Sequence, residues 1–284
     1  MAYAAELISD RELGFTNRHF EFLRKMVGEH AGINLSEAKR ELVYGRIARR
    51  IRALSLQGFD EYCRLLEESP GEEIGNFINA ITTNLTAFFR EDHHFDFLRE
   101  TLVPGWTNSG GGRPRVRIWS AGCSTGEEPY SIAMTLRESL ASTAISDVAL
   151  LATDIDTNVL ATAAAGVYEA TRVESMSHAR MSKWFRRGRG ANADKVKVVP
   201  ELQEMIRFRQ LNLMQEWPVR GAFDLIFCRN VVIYFDKPTQ RKLFARFAEK
   251  LAPRGYLIIG HSETLYNVSE EFELVGRTSY RKLV

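Results

Sequence analysis

The chain has 284 residues, 45% apolar and 26% charged, with a formal net charge of +2. That length favours two domains, each with its own core, in a water-soluble protein, and the small charge gives no general attraction to nucleic acid. No run of eighteen apolar residues occurs, and Glu6, Asp10 and Glu12 stand where a secretory signal needs a basic flank, so a cytoplasmic protein without membrane insertion is expected. Cys63, Cys123 and Cys228 are too scattered for a disulfide framework or a zinc site, which leaves reduced thiols and no metal as the expectation.

The first hundred residues read as helices. Val43, Ile47, Ile51 and Leu54 form one helical stripe flanked by Arg46, Arg49 and Arg50, and Phe59, Tyr62, Leu65 and Leu66 repeat the pattern in a shorter helix. Lys39, Arg40 and Arg52 extend the basic stretch, which is either a solvated face or a dock for an acidic partner. Further on, Thr82-Thr83-Asn84-Leu85-Thr86-Ala87-Phe88-Phe89-Arg90-Glu91 sets an amide, hydroxyls and a guanidinium beside two aromatic rings. It suits a lid over a crevice, or Thr86 simply caps the helix that follows. Asn108–Pro114 has the composition of a linker, and beyond it the pattern changes.

From there short apolar runs alternate with helical segments, as in a parallel sheet covered by helices. Strands are expected at Val116–Trp119, Val148–Thr153, Leu225–Cys228 and Tyr256–Ile259, and helices at Glu128–Leu140, Thr157–Ala165 and Pro238–Leu251. Ligands of such sheets sit at the carboxyl ends of the strands. The first strand runs into Gly122-Cys123-Ser124-Thr125-Gly126-Glu127-Glu128, a nucleotide-type loop whose glutamates would repel a pyrophosphate and suit a cationic cofactor such as S-adenosylmethionine. An ordinary turn with acids favoured by the helix dipole reads equally well. At the end of the second strand, Asp154 is placed to accept ribose hydroxyls, and Asp156 to cap the next helix. Arg229, Asn230 and Tyr234 follow the Leu225–Cys228 strand at the floor of the same crevice. Between about Arg186 and Leu211, Gly188-Arg189-Gly190 and the alternating Lys195–Val199 and Ile206–Arg209 read as an inserted antiparallel hairpin.

Three of these segments, Thr82–Glu91, Ser124-Thr125-Gly126-Glu127-Glu128-Pro129-Tyr130-Ser131 and Cys228–Phe235, resemble the CheR-type chemotaxis receptor methyltransferases, and the likeness runs along nearly the whole chain. The resemblance implies an all-α N-terminal domain (residues 1–90) and an α/β, Rossmann-like S-adenosylmethionine-dependent methyltransferase domain (91–284) with a β-subdomain at about 186–211. It implies cofactor contacts at Asn84, Thr86, Arg90, Glu128, Asp154, Asn212, Leu213, Arg229 and Asn230, and catalytic positions at Arg90 and Tyr234. Ser120 stands where many methyltransferases carry an acidic residue. The implied reaction converts glutamates of methyl-accepting chemotaxis receptors to methyl esters, leaving S-adenosyl-L-homocysteine, with no metal and no nucleic acid involved. Receptor binding is assigned to Arg46, Arg49 and Arg50, and to Gly188, Arg189 and Gly190 for a C-terminal tail peptide. A monomer recruited to receptor arrays at the inner membrane is expected.

Two other classes share features of this pattern. An amino-methyltransferase of nucleic acid would carry an Asn/Asp-Pro-Pro-aromatic motif where this chain has Arg229-Asn230-Val231-Val232. A non-catalytic receptor adaptor would not need Glu128, Asp154, Asn230 and Tyr234 together.

Overall fold

The computed structural model describes residues 13–107, 115–140 and 147–283, so the expected linker Asn108–Pro114 lies outside the described residues. Contacts divide the chain into two compact units. One runs through Thr83 and takes in Tyr234–Asp236, and the other comprises Asn84–Ile233 and Lys237–Val284.

The first unit holds helices α1 (Asn17–Ala31), α2 (Arg40–Ala53), α3 (Phe59–Glu68) and α4 (Glu73–Ile81). Thr16 and His19 start α1 by each accepting the other's backbone N–H, and Gly32 ends it at φ 70°. Phe20, Leu23, Val43, Ile47, Ile51, Phe59, Tyr62 and Phe77 are completely buried between the helices. At about 1.5–3 kcal/mol for each such side chain, this core is what holds short helices of ordinary propensity. Buried Glu73 accepts from Arg50 Nε at 3.0 Å, Arg50 Nη2 at 2.5 Å and the Tyr62 hydroxyl at 2.8 Å. Arg46 Nη1 donates to the carbonyls of Ile81 and Thr82 at 2.5 and 2.7 Å, closing the C-terminus of α4. Of the basic stripe on α2, two arginines are therefore engaged within the unit, while Arg49 is exposed.

The second unit is built on a seven-stranded sheet of order β6-β2-β1-β7-β8-β10-β9. Its strands are β1 (Arg115–Ala121), β2 (Asp147–Asp154), β6 (Ile206–Gln210), β7 (Phe223–Cys228), β8 (Leu251–Ile259), β9 (Phe272–Gly276) and β10 (Ser279–Lys282). The first five are mutually parallel, and β10 and β9 add antiparallel. Helices α5 (Glu127–Ser139), α6 (Thr157–Ala165) and α8 (Lys237–Lys250) connect them, with buried Trp119 packed against Trp217, Phe223 and Phe247. Strand order reverses between β1 and β7, and sheets of this kind bind ligands at the carboxyl ends of the strands flanking such a reversal.

A separate three-stranded sheet joins β3 (Val167–Glu169), β5 (Lys195–Val198) and β4 (Phe185–Arg187), the last entered from helix α7 (His178–Trp184). Here the structure corrects the sequence reading. β4 and β5 do form a hairpin, but Ile206–Gln210 pairs in parallel with β2 in the large sheet instead of joining it. Apolar alternation marked both segments as strands and carried no information on which neighbour each would pair with. Gly188 serves the turn itself, because a Cβ there would lie 2.0 Å from the Asn192 carbonyl oxygen.

Candidate active site

In the second unit, the Gly122–Glu128, Asp154 and Arg229–Asn230 motifs lie at or just after the carboxyl ends of parallel strands and the Thr86–Glu91 motif lies in the segment before β1, whereas the Gly188-Arg189-Gly190 turn belongs to the separate small sheet. The loop after β1 turns through Gly122 at φ 85°, Ser124 at φ 49° and Gly126 at φ 97°. Its glycines face protein: a Cβ on Gly122 would meet Val231 at 2.3 Å, and one on Gly126 would meet Ala163 at 2.8 Å and the Tyr168 hydroxyl at 2.9 Å. Close packing of loop against neighbours therefore demands them, independently of any ligand. Phe89, Glu91 and Asn230 also adopt left-handed backbone, at φ 53°, 57° and 58°. Such conformations cost energy in residues other than glycine and concentrate at functional sites.

Asp154, at the end of β2, is buried, and its carboxylate accepts the N–H of Ser124 at 2.8 Å and of Asp156 at 3.0 Å. Burial pushes its pKa up, against the pull of these backbone bonds. Asp156 caps α6 by accepting the N–H groups of Asn158 and Val159, and its second oxygen accepts from Asn84 Nδ2 at 2.7 Å. Asn84 in turn accepts the Ser124 hydroxyl on its carbonyl at 3.0 Å, so the segment before β1 is laced onto both loops. Thr86 caps no helix: its carbonyl accepts from Arg172, and the next helical residues begin at His93. Leu211, after β6, donates its N–H to the Asp154 carbonyl at 2.9 Å, which brings Asn212 and Leu213 beside the same strand end.

The two glutamates opening α5 are both neutralised from within. Glu127 is fully buried and pairs with Arg172, while Glu128 accepts from Ser120 Oγ at 2.8 Å and from Arg229 Nη1 at 3.0 Å. The open acidic mouth suggested by the sequence is thus closed by arginines. Ser120 has a clear task here, as a donor to Glu128. Burial pushes the Glu128 pKa up, and Arg229 opposes it. Arg229, only 2% exposed in its side chain, also donates to the Arg90 carbonyl and lies 3.5 Å from Glu91, while its buried Nε has no acceptor among the described residues. Arg90 itself is half-buried, and among the described residues only its side-chain Nη1 is bonded, to the Leu85 carbonyl at 2.8 Å.

Glu91, His93 and His94 place three ligand-type atoms within 4.8 Å of one another. The Glu91 carboxylate, however, already pairs with His261 at 2.8 Å and with Arg229, whose guanidinium supplies the positive charge there. Tyr234 groups with the helical unit, its carbonyl accepting the Asn34 N–H at 2.8 Å. The sequence reading missed Glu91, Arg172, His261 and Glu263, each of which holds a segment of the site. The one available signal for the last two was their position just past the end of a parallel strand.

Residues 84–281 match the family description "CheR methyltransferase, SAM binding domain", and residues 18–82 match "CheR methyltransferase, all-alpha domain". The chain belongs to the CheR methyltransferase family. It is 46% identical to chemotaxis protein methyltransferase 2 of Pseudomonas aeruginosa over 96% of each chain. Against the chemotaxis protein methyltransferase of Escherichia coli it is 43% identical, over 94% of this chain and 92% of the relative. This CheR chain is accordingly an S-adenosylmethionine-dependent methyltransferase of chemotaxis, with the all-α domain and Rossmann-like domain of its family. Among the described residues no helix is long and apolar enough to cross a membrane.

Proposed function

We propose that the protein methylates glutamate side chains of chemotaxis receptors, forming glutamyl methyl esters. The observation that carries this reading is the guanidinium of Arg90. It stands on a segment fastened to Arg229 and Ser131, and among the described residues its Nε and Nη2 donors are unbonded, in the fork geometry that suits a carboxylate.

The residues present fit S-adenosylmethionine. Asp154 uses one acceptor position of each oxygen on backbone N–H groups and retains lone pairs for ribose hydroxyls, and Arg229 Nε is a buried donor without an acceptor among the described residues. Asn84, Thr86, Glu128, Asn212, Leu213 and Asn230 complete the set that would hold it. When bound, the donor supplies an electrophilic methyl group on sulfur, and the sulfur keeps the bonding electron pair as the new ester bond forms. A glutamate carboxylate is ionised near neutral pH and needs no general base. The chain's own part is alignment: Arg90 clamps the accepting carboxylate, and burial of the Glu128–Arg229 pair keeps water from the floor of the crevice.

Receptors would be engaged at two surfaces. On α2 the exposed Arg49 is the leading cation, since Arg46 and Arg50 are engaged within the helical unit. A receptor tail would add to the small sheet by strand pairing, with its turn Gly188-Arg189-Gly190 alongside. β5 is paired on both sides, so the available edges are β3 and β4, and β4 carries the exposed Arg186 and Arg187. Docking of this kind would bring the enzyme to receptor arrays from the cytoplasm.

Incubation with radiolabelled donor and receptor-containing membranes tests the reaction. Alkali-labile label on receptor protein is expected, and alkali-stable label would overturn the ester assignment.

A further inference from the structure

The carboxylate of Glu263, four residues past the end of β8, accepts five backbone N–H bonds. Oε1 takes Val231 and Val232 at 2.9 Å and Ile233 at 3.3 Å, while Oε2 takes Asn230 at 2.9 Å and Gly260 at 2.5 Å. Four consecutive N–H groups converge because Asn230, at φ 58°, turns the chain sharply out of β7. The result is an anion-binding nest whose anion the protein itself provides. Glu263 is only 6% exposed, and these bonds offset part of the desolvation of its charge. Gly260 seals the arrangement: a Cβ there would stand 2.5 Å from Asn230 Nδ2 and 2.9 Å from its N. The neighbouring His261 grips Glu91 through both its N–H and its ring. One short turn thus holds the Asn230 loop and the Arg90–Glu91 segment together.

We propose that Glu263 is a positioning residue for methyl-donor binding, acting through Asn230. It fixes the left-handed backbone at Asn230 and so sets the direction of that side chain, without itself touching the donor. The proposal rests on the reading of Asn230 as a cofactor contact. Replacing Glu263 by Gln preserves shape, but the amide nitrogen cannot accept an N–H, so at least the Asn230 and Gly260 donors or the Val231–Ile233 donors lose their acceptor.

The test is a double-mutant cycle on the full chain, measuring S-adenosyl-L-homocysteine affinity by calorimetry well below the melting transition. Asn230→Ala and Glu263→Gln are each expected to weaken binding about tenfold, and the double variant to bind no worse than Asn230→Ala alone. Gly260→Ala, whose Cβ would press on both Asn230 and the Glu263 carboxylate, should behave like Glu263→Gln in the same cycle and serves alone if Glu263→Gln does not fold. Losses that multiply in the double variants, or a Glu263→Gln variant of wild-type affinity beside a weakened Asn230→Ala, would overturn the positioning role. Wild-type affinity in Asn230→Ala would instead refute the Asn230 contact, and the proposal with it.

Discussion

Replacing Arg229 by Met removes a buried cation while keeping most of the side-chain volume. Three partners are left behind: Glu128 loses its donor at 3.0 Å, Glu91 loses the charge at 3.5 Å, and the Arg90 carbonyl loses its bond. Glu128 is 10% exposed in its side chain and cannot recover these interactions from water. Breaking a buried pair from one side costs about 3–5 kcal/mol, because the remaining charge is uncompensated. In a unit of this size that corresponds to a melting temperature about 6–20 °C lower. Adding Glu128→Gln to Arg229→Met should recover part of the loss, since the neutral amide still accepts from Ser120 and strands no charge. Burial already raises the Glu128 pKa, and losing Arg229 raises it further. A raised carboxyl pKa means the folded state binds the extra proton, so the deficit of the single variant should shrink as pH falls toward the carboxylate range. Thermal unfolding without ligand, followed from pH 7.5 to 5, measures all of this. A single variant within 1 kcal/mol of wild type, or a double variant no more stable than the single one, would refute the reasoning.

Three further expectations follow from the same geometry. Asp154→Ala should weaken S-adenosyl-L-homocysteine binding in calorimetry, whereas Arg90→Ala should lower methyl transfer at saturating donor and Tyr234→Phe should slow it without unfolding the chain. Burial first, then Arg229 and His93, hold the His94 pKa at about 3, below its ordinary value. The unfolded chain therefore takes up the proton first, and stability should fall as pH drops below about 6.5, by up to about 1.4 kcal/mol per unit. His94→Gln should flatten that slope in urea titrations, and an equal slope would sink the attribution. Neutralising Arg49 alone should reduce the salt sensitivity of receptor methylation, whereas Arg50→Ala should chiefly lower stability by stranding Glu73; the reverse pattern would reassign the stripe.

What the sequence determined by itself is what depends on neighbouring residues. Periodicity placed α2 and α3 and the strands β1, β2 and β7 because one buried face repeats at a fixed interval, and Asp156 announced its cap because the helix it serves begins at the next residue. The three family segments were legible for the same reason, each being a contiguous strand-end or loop. The tertiary structure alone decided the partners. Glu128 meets Arg229 across 101 residues, Glu127 meets Arg172 across 45, and Glu263 reaches the Asn230 loop across about 30. Only the fold drew Arg46 and Arg50 into the helical unit, placed β6 beside β2 and made β5 a central strand. A charge or a strand edge is satisfied by whatever the topology brings within about 3 Å, and no window along the chain specifies that neighbour.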